Sequence, residues 1–187
     1  PAERLYKEAI SETRKIYGNR HIAVWEIHDQ LASALEDQGY VVRAQRLYRR
    51  ALAGRRETLG NTHPDTLQNV NDLALLLMDQ EYFKEAETLY QLSLAHALSN
   101  LGHTHPHSLD LMHNVAHVHK LQGNYARAER FYRRALDRRK KELGEQHPDT
   151  LEGMTNLAIL LDEQNKSEEA EQLYRLALQG RKITLGE

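Results

Sequence analysis

His63-Pro64-Asp65-Thr66-Leu67 is spelled again, letter for letter, at His147-Pro148-Asp149-Thr150-Leu151, and midway between them stands His105-Pro106-His107-Ser108-Leu109. The step is 42 residues, and other positions keep it. Tyr6, Tyr48, Tyr90, Tyr132 and Tyr174 are in register, with Ala2, Ala44, Ala86, Ala128 and Ala170 four residues ahead of them. Gly18, Gly60, Gly102, Gly144 and Gly186 form a third set, Ala32, Ala74, Ala116 and Ala158 a fourth, and His21, His63, His105 and His147 a fifth. Self-similarity at a fixed period marks a repeat architecture, in which one supersecondary unit is stacked on copies of itself.

Each unit reads as two helices. Pro64, Pro106 and Pro148 suit the first helical turn, where a missing N–H costs nothing and φ is already helical. Val70, Leu73, Ala74 and Leu77 share one helical face, as do Leu89, Tyr90, Ser93 and Leu94 in the partner segment. The turns Gln80-Glu81-Tyr82, Gln122-Gly123-Asn124 and Gln164-Asn165-Lys166 are short enough to require antiparallel hairpins. Leu-Gly at 59–60, 101–102 and 143–144 ends the second helix, glycine supplying a left-handed residue. Small alanines at 74, 116 and 158, with 86, 128 and 170 opposite them, permit close helix crossings. The expected fold is therefore all-α, a right-handed superhelix of about nine helices forming one array over 1–187. Residues 2–18 match a second helix without its first, and full units follow at about 20–60, 62–102, 104–144 and 146–186. This organisation reads as a fragment of a longer protein. The first full unit has His21-Ile22-Ala23-Val24-Trp25 and no Pro, so a less well fixed helix start is expected there.

Lys and Arg number 25 against 27 Asp and Glu, a formal charge of −2. This gives no basic excess for nucleic acid and no acidic tail. Cysteine is absent, which removes disulfides, thiolate metal sites and cysteine nucleophiles and suits a reducing, cytoplasmic setting. No apolar run approaches the roughly 20 residues needed to span a bilayer. No phosphate-cradling Gly-rich loop, nucleophile elbow or paired catalytic carboxylate is found. The expectation is a non-enzyme without cofactor.

The small and large positions resemble the tetratricopeptide repeat, lengthened from about 34 residues. Leu143-Gly144-Glu145-Gln146-His147-Pro148-Asp149-Thr150-Leu151, then Asn156-Leu157-Ala158, then Glu169-Ala170-Glu171-Gln172-Leu173-Tyr174, resemble the 42-residue repeats of kinesin light chains. They are also similar to C-terminal arrays of fungal NOD-like receptors and other STAND signalling ATPases. The resemblance implies a protein-interaction scaffold that binds a peptide or partner domain on a concave face lined by first helices, as the sensor or adaptor part of a larger signalling protein. By position that groove comprises Gln68, Asn71, Leu75, Met78, Asp110, His113, Asn114, His117, Lys120, Glu152, Thr155, Asn156 and Ile159, preceded by Glu26, Asp29, Ser33 and Glu36 in the first unit and followed by Asp162. Steps of three and four put each set on one helical stripe. The residue pairs before Leu-Ala, or Val115-Ala116 in the third unit, read Asp29-Gln30, Asn71-Asp72, His113-Asn114 and Thr155-Asn156, and the acidic members disfavour an acidic ligand. The alternatives are a kinesin-light-chain-like cargo adaptor and a self-associating or autoinhibitory arm of a STAND-type ATPase.

Six of eleven histidines fall between 103 and 119. His113 and His117 are four apart on one face, with Asp110 a turn before, a spacing that can chelate Zn²⁺. A polar groove lining explains the same residues, and no metal site is assigned. If their protonation aids binding, affinity is expected to change between about pH 5.5 and 7.5. The histidine before each Pro reads as a helix cap. Arg133-Arg134 and Arg138-Arg139-Lys140-Lys141 lie along one second helix and, with Arg49-Arg50 and Arg55-Arg56, suggest a phosphate-binding stripe; the favoured reading is a solvated convex face with cations near helix C-termini. Apolar residues of the end helices, Ala2, Leu5, Tyr6, Ala9, Leu173, Tyr174, Ala177 and Leu178, suggest weak self-association through uncapped ends.

Overall fold

The computed structural model describes residues 2–185, apart from the side chains of Ala2, Glu3, Lys7 and Leu185; Gly186 of the glycine register lies outside them, as does the side chain of Ala2. Nine helices and no strands occur among the described residues. They are α1 (Ala2–Tyr17), α2 (Ile22–Glu36), α3 (Val41–Thr58), α4 (Pro64–Asp79), α5 (Phe83–Asn100), α6 (Pro106–Leu121), α7 (Tyr125–Leu143), α8 (Pro148–Glu163) and α9 (Ser167–Leu185). The chain divides into two compact units, Pro1–His96 and Ala97–Glu187, with the division inside α5. In the first unit α2 pairs with α3, and α1 and α4 pack beside them. In the second, α6 pairs with α7, α8 with α9, and α7 packs on α8.

Capping chemistry fixes where the first helices begin. His63, His105 and His147 hold extended backbone, and each accepts on Nδ1 from the N–H two residues on, at 3.2, 3.3 and 3.2 Å. This is the role of an N-cap, filled by imidazole in place of the usual hydroxyl or carboxamide. His21 caps α2 in the same way, through Ala23 N at 3.3 Å. The first unit therefore gains its helix start from the cap without help from Pro.

The same helices end in a repeated motif. Gly39, Glu81, Gly123 and Asn165 stand 42 residues apart and all have positive φ, at 79, 61, 74 and 61°. After α4, Tyr82 N donates to Leu77 O at 2.8 Å and Glu81 N to Met78 O at 2.9 Å. That 6→1 and 5→2 pairing is a Schellman turn, and it recurs after α2, α6 and α8. Each hairpin is thus turned by one left-handed residue, which is a glycine only twice.

Burial follows the register. Ala32, Ala74, Ala116, Ala44, Ala86 and Ala128 are fully buried, as Tyr48, Tyr90 and Tyr132 almost are. In the second unit Ala116 and Ala128 share a core with Tyr132, Leu136, Met154 and Leu157. In the first, Ile10, Val24, Trp25 and Ala51 form a cluster against Ile27. Gly54 of α3 admits the Trp25 indole, because a Cβ there would sit 2.2 Å from its Cε2.

Candidate functional site

The register tyrosines reach from the second helices to the polar stripe of the first. Tyr48 Oη donates to Glu36 Oε2 at 3.1 Å, and Tyr90 Oη to Asn71 Oδ1 at 2.9 Å. The Tyr132 ring meets His113 edge-on at 5.1 Å. Core aromatics therefore support groove positions with their polar tips.

In the first unit the stripe is acidic. A cleft of about 530 Å³ is lined by Asp29, Gln30, Ser33, Asp37, Tyr48 and Asp72, with Tyr6 and Ala34. Burial raises the Asp29 pKa to about 6 against the pull of Arg55, with Asp72 and Glu26 adding to the rise. Burial also raises Glu36, against the bond from Tyr48, and Asp79, Asp37 and Asp72 push it further. Asp72 is raised by burial in spite of the bond from Gln68 Nε2 at 2.8 Å. Leu75 is exposed, whereas Met78 is buried and supplies core instead of lining.

In the second unit the middle of the stripe, from His113 and His117 to Thr155 and Asn156, is uncharged. His113 is mostly buried, with its Nε2 3.5 Å from Asn156 Nδ2. Burial, then Arg139 and His117, lower its pKa to about 4, and burial also lowers His117. His113 therefore stays uncharged across the pH 5.5–7.5 window in which its protonation was expected. Lys120 pairs with Glu163 at 2.8 Å, and Thr155 donates to Leu151 O at 2.9 Å. Asn114, Asn156 and Ile159 are half-buried, and Asp110 and Glu152 are exposed. Asp110 accepts from Arg139 at 2.7 Å, and no group of three or more His, Asp or Glu among the described residues could hold a metal ion.

Two arginines read as surface residues are interior. Arg55 and Arg139 are 6% and 5% exposed. Arg55 Nη1 bonds Asp29, which also accepts from Asn69 Nδ2 at 3.0 Å. Arg139 bonds Asp110 and, at 3.1 Å, the Asp149 carbonyl. Both stand seven residues after a register tyrosine, on the stripe Tyr48, Ala51, Leu52 and Tyr132, Ala135, Leu136, so that spacing was the available signal. Arg133, by contrast, lies among Glu129 and Glu169 at 2.8 and 2.7 Å, which leaves little of a phosphate-binding stripe.

A family model described as tetratricopeptide repeat matches residues 68–141 and 107–183, and a second with the same description matches 29–65. The chain belongs to the tetratricopeptide repeat family. Among solved structures, BtubC (BKLC) from P. vanneervenii is similar at TM-score 0.82 and 22% identity, covering 100% of this chain and 74% of that one. A putative kinesin light chain of Podosopora anserina with nearly identical TPR-like repeats matches at 0.79 and 22%, covering 97% and 86%. The apo form of RapI matches at 0.78 and 16%, covering 98% and 64%. No curated protein sequence matches the chain. These likenesses extend the tetratricopeptide fold, of the kinesin-light-chain-like kind, over nearly every described helix. Tetratricopeptide repeats of this kind are protein-interaction scaffolds, and no helix among the described residues is long and apolar enough to cross a membrane.

Proposed function

We propose that this array, a single non-enzymatic module within a larger cytoplasmic signalling protein, binds a partner peptide along its first-helix stripes, and that its first unit selects a basic segment. One observation carries the reading: Asp29, Glu36 and Asp72 are all held above the ordinary carboxylate range by burial, and Arg55 offsets only Asp29 and Asp72. A Lys or Arg side chain entering the cleft supplies the missing charge in partly desolvated surroundings, where a charge-assisted bond is strong. This is opposite in sign to what an acidic ligand needs. The neutral His113, His117 and Asn156 would then contact backbone or polar side chains of the partner.

Calorimetry with Lys/Arg-rich and Glu-rich peptides of equal length tests the reading. Binding of the basic peptide is expected, weakened at least tenfold by Asp72→Asn. Proton competition at Asp29 makes that affinity rise as pH increases through about 6. Preference for the Glu-rich peptide would sink the proposal. Self-association is the second reading, favoured by the exposed Leu5 and Ile16 of α1 and Leu176, Leu178 and Ile183 of α9. Ala177 is buried and takes no part in it. Sedimentation across a concentration series separates the two readings.

A further inference from the structure

The repeat breaks its own pattern at a buried position. His28 is 2% exposed, while its equivalents in the following units, Val70, Met112 and Met154, are buried hydrocarbon or thioether side chains. An imidazole in such a place is costly unless its nitrogens are engaged. Nδ1 lies 2.5 Å from the Val24 carbonyl oxygen and donates to it, so Nε2 of the neutral ring is left as an acceptor.

His28 lines a cleft of about 500 Å³ formed by α1, α2 and α3. Arg14, Lys15 and Arg50 supply cations, Ser11 supplies a hydroxyl, and no carboxylate lines it among the described residues. Ile10, Leu31 and Leu47 are the apolar wall. Lys15 is shared with Glu12 at 2.8 Å, whereas Arg14 Nε is buried without a hydrogen-bond partner. Burial and the nearby Arg50 charge both lower the Arg14 pKa, as expected for facing guanidiniums that lack a counter-ion. The equivalents of Ser11 in the next three units are Ala53, Ala95 and Asp137, and those of Arg50 are Leu92, Arg134 and Leu176. The combination of Ser11, Arg14, His28 and Arg50 therefore belongs to this unit alone.

We propose that this cleft binds a small organic oxyanion, a phosphate monoester or carboxylate on an apolar body. Arg14 and Arg50 take the charge in forked hydrogen bonds. Ser11 donates to the anion, His28 Nε2 accepts from its hydroxyl where it has one, and Ile10, Leu31 and Leu47 cover the apolar part. The volume is that of a small-molecule site. At about 100° per residue, His28 and Leu31 project from the side of α2 opposite to Asp29, Ser33 and Asp37, so the site is independent of the peptide-binding reading.

The test is calorimetry of the intact chain with phenyl phosphate, benzoate, inorganic phosphate and benzyl alcohol. One-to-one, saturable binding of phenyl phosphate or benzoate is expected, at least tenfold tighter than that of inorganic phosphate or the neutral alcohol. Arg50→Ala should weaken it at least tenfold. His28→Met, which introduces the residue of the last two repeats, should weaken phenyl phosphate, whose monoanion offers a hydroxyl to Nε2, while raising the melting temperature. The proposal is overturned if neither organic anion binds saturably, or if Arg50→Ala and His28→Met bind as the native chain does. Should His28→Met not fold, Arg50→Ala decides alone, since Arg50 is exposed.

Discussion

The same substitution, Gly to Ala, should change stability with opposite sign at two helical positions of this chain. At Gly54 the added Cβ would lie 2.2, 2.3 and 2.5 Å from Cε2, Cζ2 and Cδ2 of Trp25, against a normal carbon contact of about 3.5–4.0 Å. The indole would have to retreat by more than an ångström from a cluster shared with Ile10, Val24 and Ala51. Removing Gly from a helix interior returns about 1 kcal/mol, but overpacking of this kind costs about 1–3 kcal/mol and occasionally more. The ceiling is expulsion of the indole, about 4–6 kcal/mol for some 150–250 Å² at 25 cal/mol per Å². Gly54→Ala should therefore destabilise by up to about 2 kcal/mol, and by more if the indole is expelled. At Gly153 the new atom meets Leu136 Cδ1 at 3.4 Å and Arg139 Nη1 at 3.7 Å, ordinary contact, so Gly153→Ala should stabilise by about 0.5–1 kcal/mol. Urea unfolding followed by circular dichroism reads both. The double variant Trp25→Leu/Gly54→Ala, with the Leu found at positions 67, 109 and 151, should recover most of the Gly54→Ala loss, a coupling that a mutant cycle isolates. Equal shifts for Gly54→Ala and Gly153→Ala, or no coupling with Trp25, would refute the packing argument.

Other outcomes follow from the turns, caps and titrating groups. Glu81 sits at φ 61°, so Glu81→Gly should stabilise by about 0.5–1 kcal/mol; a lower midpoint in urea would mean that the Glu side chain contributes something the turn geometry does not require. His63→Ala should cost about 0.5–2 kcal/mol through loss of the α4 cap, and His63→Asn should restore most of it. Equal stability of the two variants would dismiss the cap. Because the folded pKa of His113 lies near 4, below its unfolded value of about 6.5, the unfolded state binds the proton first as pH falls. Stability should drop progressively from about pH 6.5 towards 4, by up to about 3 kcal/mol, and His113→Asn should flatten that slope in denaturation curves taken at each pH.

What the sequence disclosed depended on whether a feature was periodic or local. The 42-residue register located every hairpin and the buried Ala and Tyr, because packing of one helix on the next repeats with the chain. The histidine caps were legible for the same reason. Charge was not, since Arg55 and Arg139 look like their solvated neighbours until the tyrosine seven residues earlier is used to orient the helix. Met78 was placed in the groove by the resemblance and by its spacing, although its side chain is buried in the core. His28 passed unnoticed because one histidine in an apolar register is visible only by comparison with Val70, Met112 and Met154.

Trp25 is the chain's one tryptophan, and it stands in the core of the first unit beside Gly54. Its emission spectrum will therefore register the opening of residues around α1, α2 and α3 and remain silent about the second unit. Ellipticity at 222 nm, in contrast, draws on helices in both. In an array whose units interact chiefly with their neighbours, melting need not be all-or-none. Overlaying the two optical transitions in one denaturant series would thus measure, without any label or mutation, how far the melting of one unit is coupled to that of the other.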